Sequence, residues 1–206
     1  EMVESIFAQN KKENEAVFYT HGHEDHVGLF EYIPSNIPQY MGEGTKELLA
    51  LKYHVTHEGA KLKVQELQNN VSDEQEYKDS LSKLEYIKYK ISLLNRINLW
   101  KRTLPRKKPA GILIGDIKIT PFCNCHSIYD SYMFLIEAEG KRIWHTGDYR
   151  AHGYMGKGLF PTLKKYATNI DVLITEGTML NHDEKCIHEN TVSKKMAHIM
   201  KTFKYV

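Results

Sequence analysis

The chain has 206 residues, 41% of them hydrophobic and 26% charged, with a formal net charge of +2. This is the balance of a soluble globular protein of one or two domains, and it excludes nucleic-acid binding driven by overall charge, leaving only a local patch for that role. Three cysteines, Cys123, Cys125 and Cys186, are too few and too unevenly placed for a disulfide framework, so a reducing cytoplasm is the expected compartment.

Residues 1–15 are polar and predicted helical. Residues 16–20 form a compact β-prone run that stops abruptly at His21. This places the histidine cluster that follows on a loop at a strand's C-terminal end. Residues 27–32 have helical character, broken by Pro34 and Pro38. Residues 45–67 read as helix. Ser72 and Gln75 then form a capping box ahead of a long helix, whose apolar stripe runs Leu81, Leu84, Ile87, Ile91, Leu94, Ile97. Residues 101–109 are basic and punctuated by proline. Beyond them the period changes to two. Ile112–Ile114 and 117–119 flank Gly115-Asp116, and residues 132–137 and Lys141–His145 flank Glu139-Gly140, a pattern that predicts two hairpins. Residues 171–175 read as a strand and 189–203 as a helix. No internal repeat, low-complexity tract, signal-peptide pattern or apolar run of membrane-spanning length is present, although the start at Glu1 leaves an upstream signal open. The sum is an α/β protein with a helical insertion.

Four metal-binding side chains fall within six residues, His21, His23, Asp25 and His26. Imidazole and carboxylate together suit zinc, manganese or iron, and not calcium alone. The spacing lets His21 and His23 face one position while Asp25 and His26 address a second, so two ions can share one loop. His126 follows a strand-like run, and Asp148 ends His145-Thr146-Gly147-Asp148 at another strand terminus. Both are candidates to complete such a site.

The ordered series His21-x-His23-x-Asp25-His26, then His126, then Gly147-Asp148, resembles that of metallo-β-lactamase-fold hydrolases. The resemblance implies an αββα sandwich, here incomplete, and two zinc ions, with manganese or iron as substitutes. His21, His23 and His126 would hold the first ion; Asp25, His26 and the bridging Asp148 would serve the second. Four strings, Thr20 to His26, His126 to Ser131, His145 to Arg150 and Thr175-Glu176-Gly177-Thr178, are similar to ribonuclease J-like nucleases with an inserted β-CASP domain. In that group an acid at the position of Glu176 orients a histidine that helps protonate the leaving group. The resemblance covers roughly residues 16–45 and 110–206. It implies a core made of 1–45 and 110–181, a helical insertion at 46–109, and the first helix of a truncated β-CASP domain at 182–206. The departures at both ends, few strands before the first motif and no final histidine ligand, make a fragment of a longer protein the expectation, with its second metal position incomplete.

The implied reaction is phosphodiester hydrolysis of RNA or single-stranded nucleic acid by a hydroxide generated between two ions, with Asp25 both binding metal and orienting the nucleophile. Two other readings stay open. One is a hydrolase of the same fold acting on thioesters, lactones or β-lactams. The other is an inactive metal-binding or interaction fragment, for which 46–109 would be a partner module. A homo-oligomer is also left open, and no membrane partner is expected. Lys101, Arg102, Arg106, Lys107 and Lys108 read as a solvated linker, since no aromatic residues interleave among them as base-stacking platforms. Cys123 and Cys125 read as small buried side chains, because no second pair exists to complete a zinc knuckle. His54, His57, His152, His182, His188 and His198 lack ligand spacing. His145, Ser127 and Asp130 are candidates to brace the ligand loops.

Overall fold

The computed structural model describes residues 15–69, 74–103, 107, 109–181 and 185–203. Residues 1–14, Ser72, Arg106, Lys108 and His182, on which some expectations fell, lie outside them. Among the described residues the chain is mixed α/β, with two sheets and five α-helices, and it divides into two compact units, Glu1–Arg102 and Thr103–Val206. None of the described helices is long and apolar enough to cross a membrane.

In the first unit, β1 (Val17–Phe18), β2 (Gln39–Gly42) and β3 (Asn98–Trp100) form a parallel sheet in that order, with Val17 opposite Gln39 and Tyr40 opposite Asn98. Parallel neighbours require crossover connections. The first carries α1 (Glu24–Val27) and a 3₁₀ turn, Phe30–Tyr32; the second carries the long helices α2 (Glu43–Asn69) and α3 (Glu74–Leu94), which pack against each other. The helical middle of the chain is therefore the connection between two strands of one sheet. Its apolar stripe does what the periodicity predicts. Leu49 and Tyr53 of α2 and Ile87 and Leu94 of α3 join Tyr19, Val27, Phe30, Met41 and Ile97 in one core. Each such burial stabilises by roughly 1.5–3 kcal/mol before ordering entropy is counted. Leu81, at the N-terminal end of the stripe, stays exposed.

A charged pair lies beside this core. Lys90 Nζ on α3 sits 3.0 Å from Glu31 Oε1, and the two side chains are only 13% and 6% exposed. Tyr86 donates its hydroxyl to the same carboxylate at 2.6 Å. The ammonium lies 4.9 Å from the Tyr86 ring centroid, 5.7 Å from that of Tyr53 and 6.0 Å from that of Phe30. Burial works against the Lys90 charge, but the Glu31 and Tyr86 hydrogen bonds more than offset it and hold the amine's pKa above the ordinary lysine range.

In the second unit, β4 (Ile112–Ile114), β5 (Ile117–Cys123), β6 (Tyr132–Ala138) and β7 (Lys141–His145) form an antiparallel meander, and β8 (Val172–Ile174) adds parallel to β7. Both predicted hairpins are present, with Ile114 opposite Ile117 and Ala138 opposite Lys141. At the second turn Glu139 and Gly140 both take positive φ, 49° and 73°, as a two-residue turn that follows the strand twist requires. The crossover from β7 to β8 carries α4 (Leu159–Tyr166), which is not among the predicted elements. Gly156 and Gly158 stand just before it and Pro161 lies in its first turn, which disguises so short a helix in the sequence. Leu159 of α4 packs with Phe122, Met133, Leu135 and Trp144 from the sheet. Arg142 fastens the same crossover by donating to the Thr168 and Tyr166 carbonyls. The last helix, α5 (Glu189–Thr202), matches its predicted span and buries none of its side chains.

Candidate metal centre

The candidate ligands fall in both units, and each group is built by its own unit. In the first, β1 ends at Phe18 and the chain turns through His21 into α1. His21 is fully buried, and its Nδ1 lies 3.0 Å from Thr20 Oγ1. Its other nitrogen, Nε2, is 3.0 Å from Nδ1 of His23, with the two rings edge to face at 86°. The His26 ring stands 4.1 Å from the His21 ring, centroid to centroid. One turn of helix makes this possible, since the His26 and Val27 amides both donate to the His23 carbonyl and curl His26 back over His21. His21, His23 and His26 are thus together. Asp25 is not part of that cluster. Its side chain is 79% exposed, and its carboxylate is 3.5 Å from His26 Nε2. Glu24, between His23 and Asp25, pairs with Lys52 of α2 at 2.5 Å, tying the loop to the long helix.

In the second unit, His126 follows β5 and Asp148 follows β7. These two strands flank β6 and run opposite to it, so both loops leave the same end of the sheet. His126 Nε2 is 3.6 Å from Asp148 Oδ2. Ser127 Oγ lies 3.3 Å from the same imidazole nitrogen, as expected for a brace of this loop. Asp130, buried and with φ at 65°, accepts the Tyr132 hydroxyl at 2.5 Å and so shapes the loop from its far end. Gly147 takes φ of 54°, a conformation that favours glycine, and its amide donates to His145 Nδ1 at 3.1 Å. His145 thus holds the turn that leads to Asp148.

Glu176 accepts the Tyr149 amide at 2.8 Å, which fixes the residue immediately after Asp148. Glu189, at the start of α5, holds the same loop further on. Its carboxylate takes the Arg150 guanidinium at 2.6 Å and the Tyr154 amide at 2.7 Å. The Tyr154 amide, with Arg150, keeps the Glu189 carboxyl below the ordinary carboxylate range, against a smaller opposing effect of burial. A carboxylate depressed in the folded state contributes stability that is complete above its unfolded pKa and is lost as pH falls through its folded one. Acid-side thermal melts are therefore expected to show a loss below the ordinary carboxylate range that Glu189→Gln flattens. An unchanged slope in the variant would show that the contact contributes nothing to acid stability.

Asn124 and Glu189 are not among the residues that the sequence singles out. Neither belongs to the ligand series, and each acts on a loop that is distant in the chain. Cys123 and Cys125 are half-buried and form no disulfide, and a methyl group on Gly153 would overlap the Cys125 sulfur, so that thiol is a packing group against the glycine. Lys101 and Lys107 lie in irregular, solvent-exposed chain, as a linker requires.

No family model matches the chain, and no curated protein matches it. Among solved structures it is similar to a protein of unknown function from Enterococcus faecalis V583, at 19% sequence identity and a TM-score of 0.61. The match covers 92% of this chain and 39% of that one, so the chain spans well under half the length of that relative. At this identity the likeness speaks for a shared fold alone.

Proposed function

We propose that the chain is the metal-binding part of a metallo-β-lactamase-fold phosphodiesterase of the ribonuclease J-like, β-CASP branch, acting on RNA or single-stranded nucleic acid. The observation that carries this reading is the seating of the ordered series His21, His23, His26, His126, Asp148 on strand-end loops, with donor atoms already converged within each unit. The donor chemistry fits a cation. His21 Nε2 and His23 Nδ1 face each other at 3.0 Å, where a single proton is all that can lie between them and a divalent ion takes both lone pairs. The hydroxyl of Thr20 on the far side of His21 is the kind of outer partner that fixes a ligating imidazole. On this reading His21, His23, Asp25 and His26 of the first unit, and His126 and Asp148 of the second, would be zinc ligands, with manganese or iron as substitutes.

Bound there, two such ions would supply an acidified water and neutralise charge gathering on phosphorus. The chain's own residues do the rest. Asp25, exposed beside the imidazoles, has room to swing and orient the attacking water. Asp148 is kept in place by Glu176 through the next amide and by Glu189 through the loop beyond. Glu176 is in this way a positioning residue for Asp148.

The test is to load the protein with zinc or manganese and offer single-stranded RNA, single-stranded DNA, a chromogenic β-lactam and a thioester. Metal-dependent release of nucleotides or oligonucleotides, lost in Asp148→Asn, is the expected result. Turnover of the β-lactam or thioester with both nucleic acids left intact would replace the nuclease reading by the other hydrolase one. Tight metal binding with no turnover of any substrate would favour a binding fragment.

A further inference from the structure

Asn124 is the polar side chain that the ligand chemistry leaves unexplained. It follows β5, two residues before His126, and is only 8% exposed. Its Nδ2 donates to two carbonyls at once, Thr146 O at 3.1 Å and Asp148 O at 2.9 Å. With two carbonyl acceptors on that side, the amide nitrogen must face them. The consequence is that Oδ1 is buried with no hydrogen-bond partner among the described residues. The two donated bonds are what this orientation of the amide provides.

What they do is join two loops at a fixed spacing. The Asn124 backbone amide is held by Ser131 O at 2.9 Å, which seats the residue on its own loop. The side chain then crosses to the loop from β7, and the Arg150 amide returns the contact by donating to Cys125 O at 2.6 Å. His126 and Asp148, 3.6 Å apart, are carried by the two loops that these cross-links join.

We infer that Asn124 is the positioning residue that sets the separation of His126 and Asp148, by clamping the carbonyl of Asp148 itself to the strand end that carries His126. The inference deepens the metal reading and rests on it for its functional consequence, though not for the clamp. A donor is essential at this position. Asn124→Asp keeps the size but turns two attractions into contacts between a carboxylate and two carbonyl oxygens. Asn124→Ala removes the bonds without the repulsion.

The test uses the full chain, stripped of metal and titrated with Co²⁺, whose visible absorption reports ligand number and geometry. Wild type is expected to bind with a tetrahedral or five-coordinate spectrum. Both variants should bind about 10–100-fold more weakly, the range seen when an outer partner of a metal ligand is lost, and with altered band positions that a mere loss of stability would not produce. Wild-type affinity and spectrum in both variants would overturn the inference. Amide exchange in the metal-free protein decides the clamp separately. Protection of the Arg150 amide should fall by about tenfold or more in Asn124→Ala, as loss of roughly 1.4 kcal/mol from the local closed state requires, while that of the β5–β6 pairs is kept. If Arg150 protection is unchanged, Asn124 is not the clamp. If wild type takes up no Co²⁺ but Arg150 loses protection in the variant, the metal reading fails while the positioning role stands.

Discussion

His21→Ala is expected to weaken metal binding by more than the roughly 100-fold that marks loss of an outer partner, because on the proposed reading it removes a ligand and not its support. His21 is the ligand candidate with no solvent exposure, and it touches both of the other imidazoles of its loop. Its removal therefore also takes one contact away from each of His23 and His26. The burial adds a stability cost, since a void replaces a ring in a packed turn. Asp148→Asn separates the two effects. It keeps the shape, removes a charged donor, and should lower affinity comparably with a smaller change in melting temperature. Isothermal titration with Zn²⁺, alongside melts of the metal-free proteins, checks both. If His21→Ala retains wild-type zinc affinity, the loop at 21–26 is not the metal site.

Lys90→Met is expected to destabilise the protein by about 3 kcal/mol, at the low end of the range for breaking a buried ion pair by removing one partner. The reason is the carboxylate left behind. Glu31 is 6% exposed, and after the change only the Tyr86 hydroxyl at 2.6 Å would remain as a described partner. For a chain of this size that corresponds to roughly 6–12 °C in melting temperature. The double variant Lys90→Met with Glu31→Gln removes both charges and should recover more than half of the loss. Chemical denaturation of the four proteins in the cycle gives the coupling directly. A single-variant loss below about 1 kcal/mol would mean the pair behaves as an exposed one. The result matters for the site because Glu31 lies on the 3₁₀ turn just after α1, and Lys52 holds Glu24 inside the histidine motif. The long helices are thus fastened to the histidine motif at Glu24 and to the 3₁₀ turn that follows it at Glu31, and disturbing α3 should be felt at the turn.

Much of the architecture is legible in local sequence pattern. The strings at Gly115-Asp116 and Glu139-Gly140 announce hairpins because turn chemistry is local, and both turns form where expected. The span of α5 and the apolar stripe of α3 follow from a repeating period within one segment. The strands β2 and β3 do not show themselves in this way. They are four and three residues long, and their hydrogen-bond partners lie across connections that include whole helices. Nothing inside segments so short distinguishes a parallel strand from a loop. The same limit hides the crossover role of residues 43–94, which look like inserted helix because their contacts with Tyr19, Val27 and Phe30 are not written in their own period.

The site divides along the same line. By itself the sequence determined which side chains are candidates for a cation, since His21, His23, Asp25, His26, His126 and Asp148 stand out by residue type, spacing and position at strand ends. Only the tertiary structure decided how each is held. It buries His21 completely, leaves Asp25 in solvent, assigns Glu176 to the amide after Asp148, and introduces Asn124 and Glu189 as supports. The physical reason is that ligand chemistry belongs to a side chain and its near neighbours. A hydrogen bond that positions a ligand needs only a donor and an acceptor within about 3 Å, and folding can draw these from any two points in the chain.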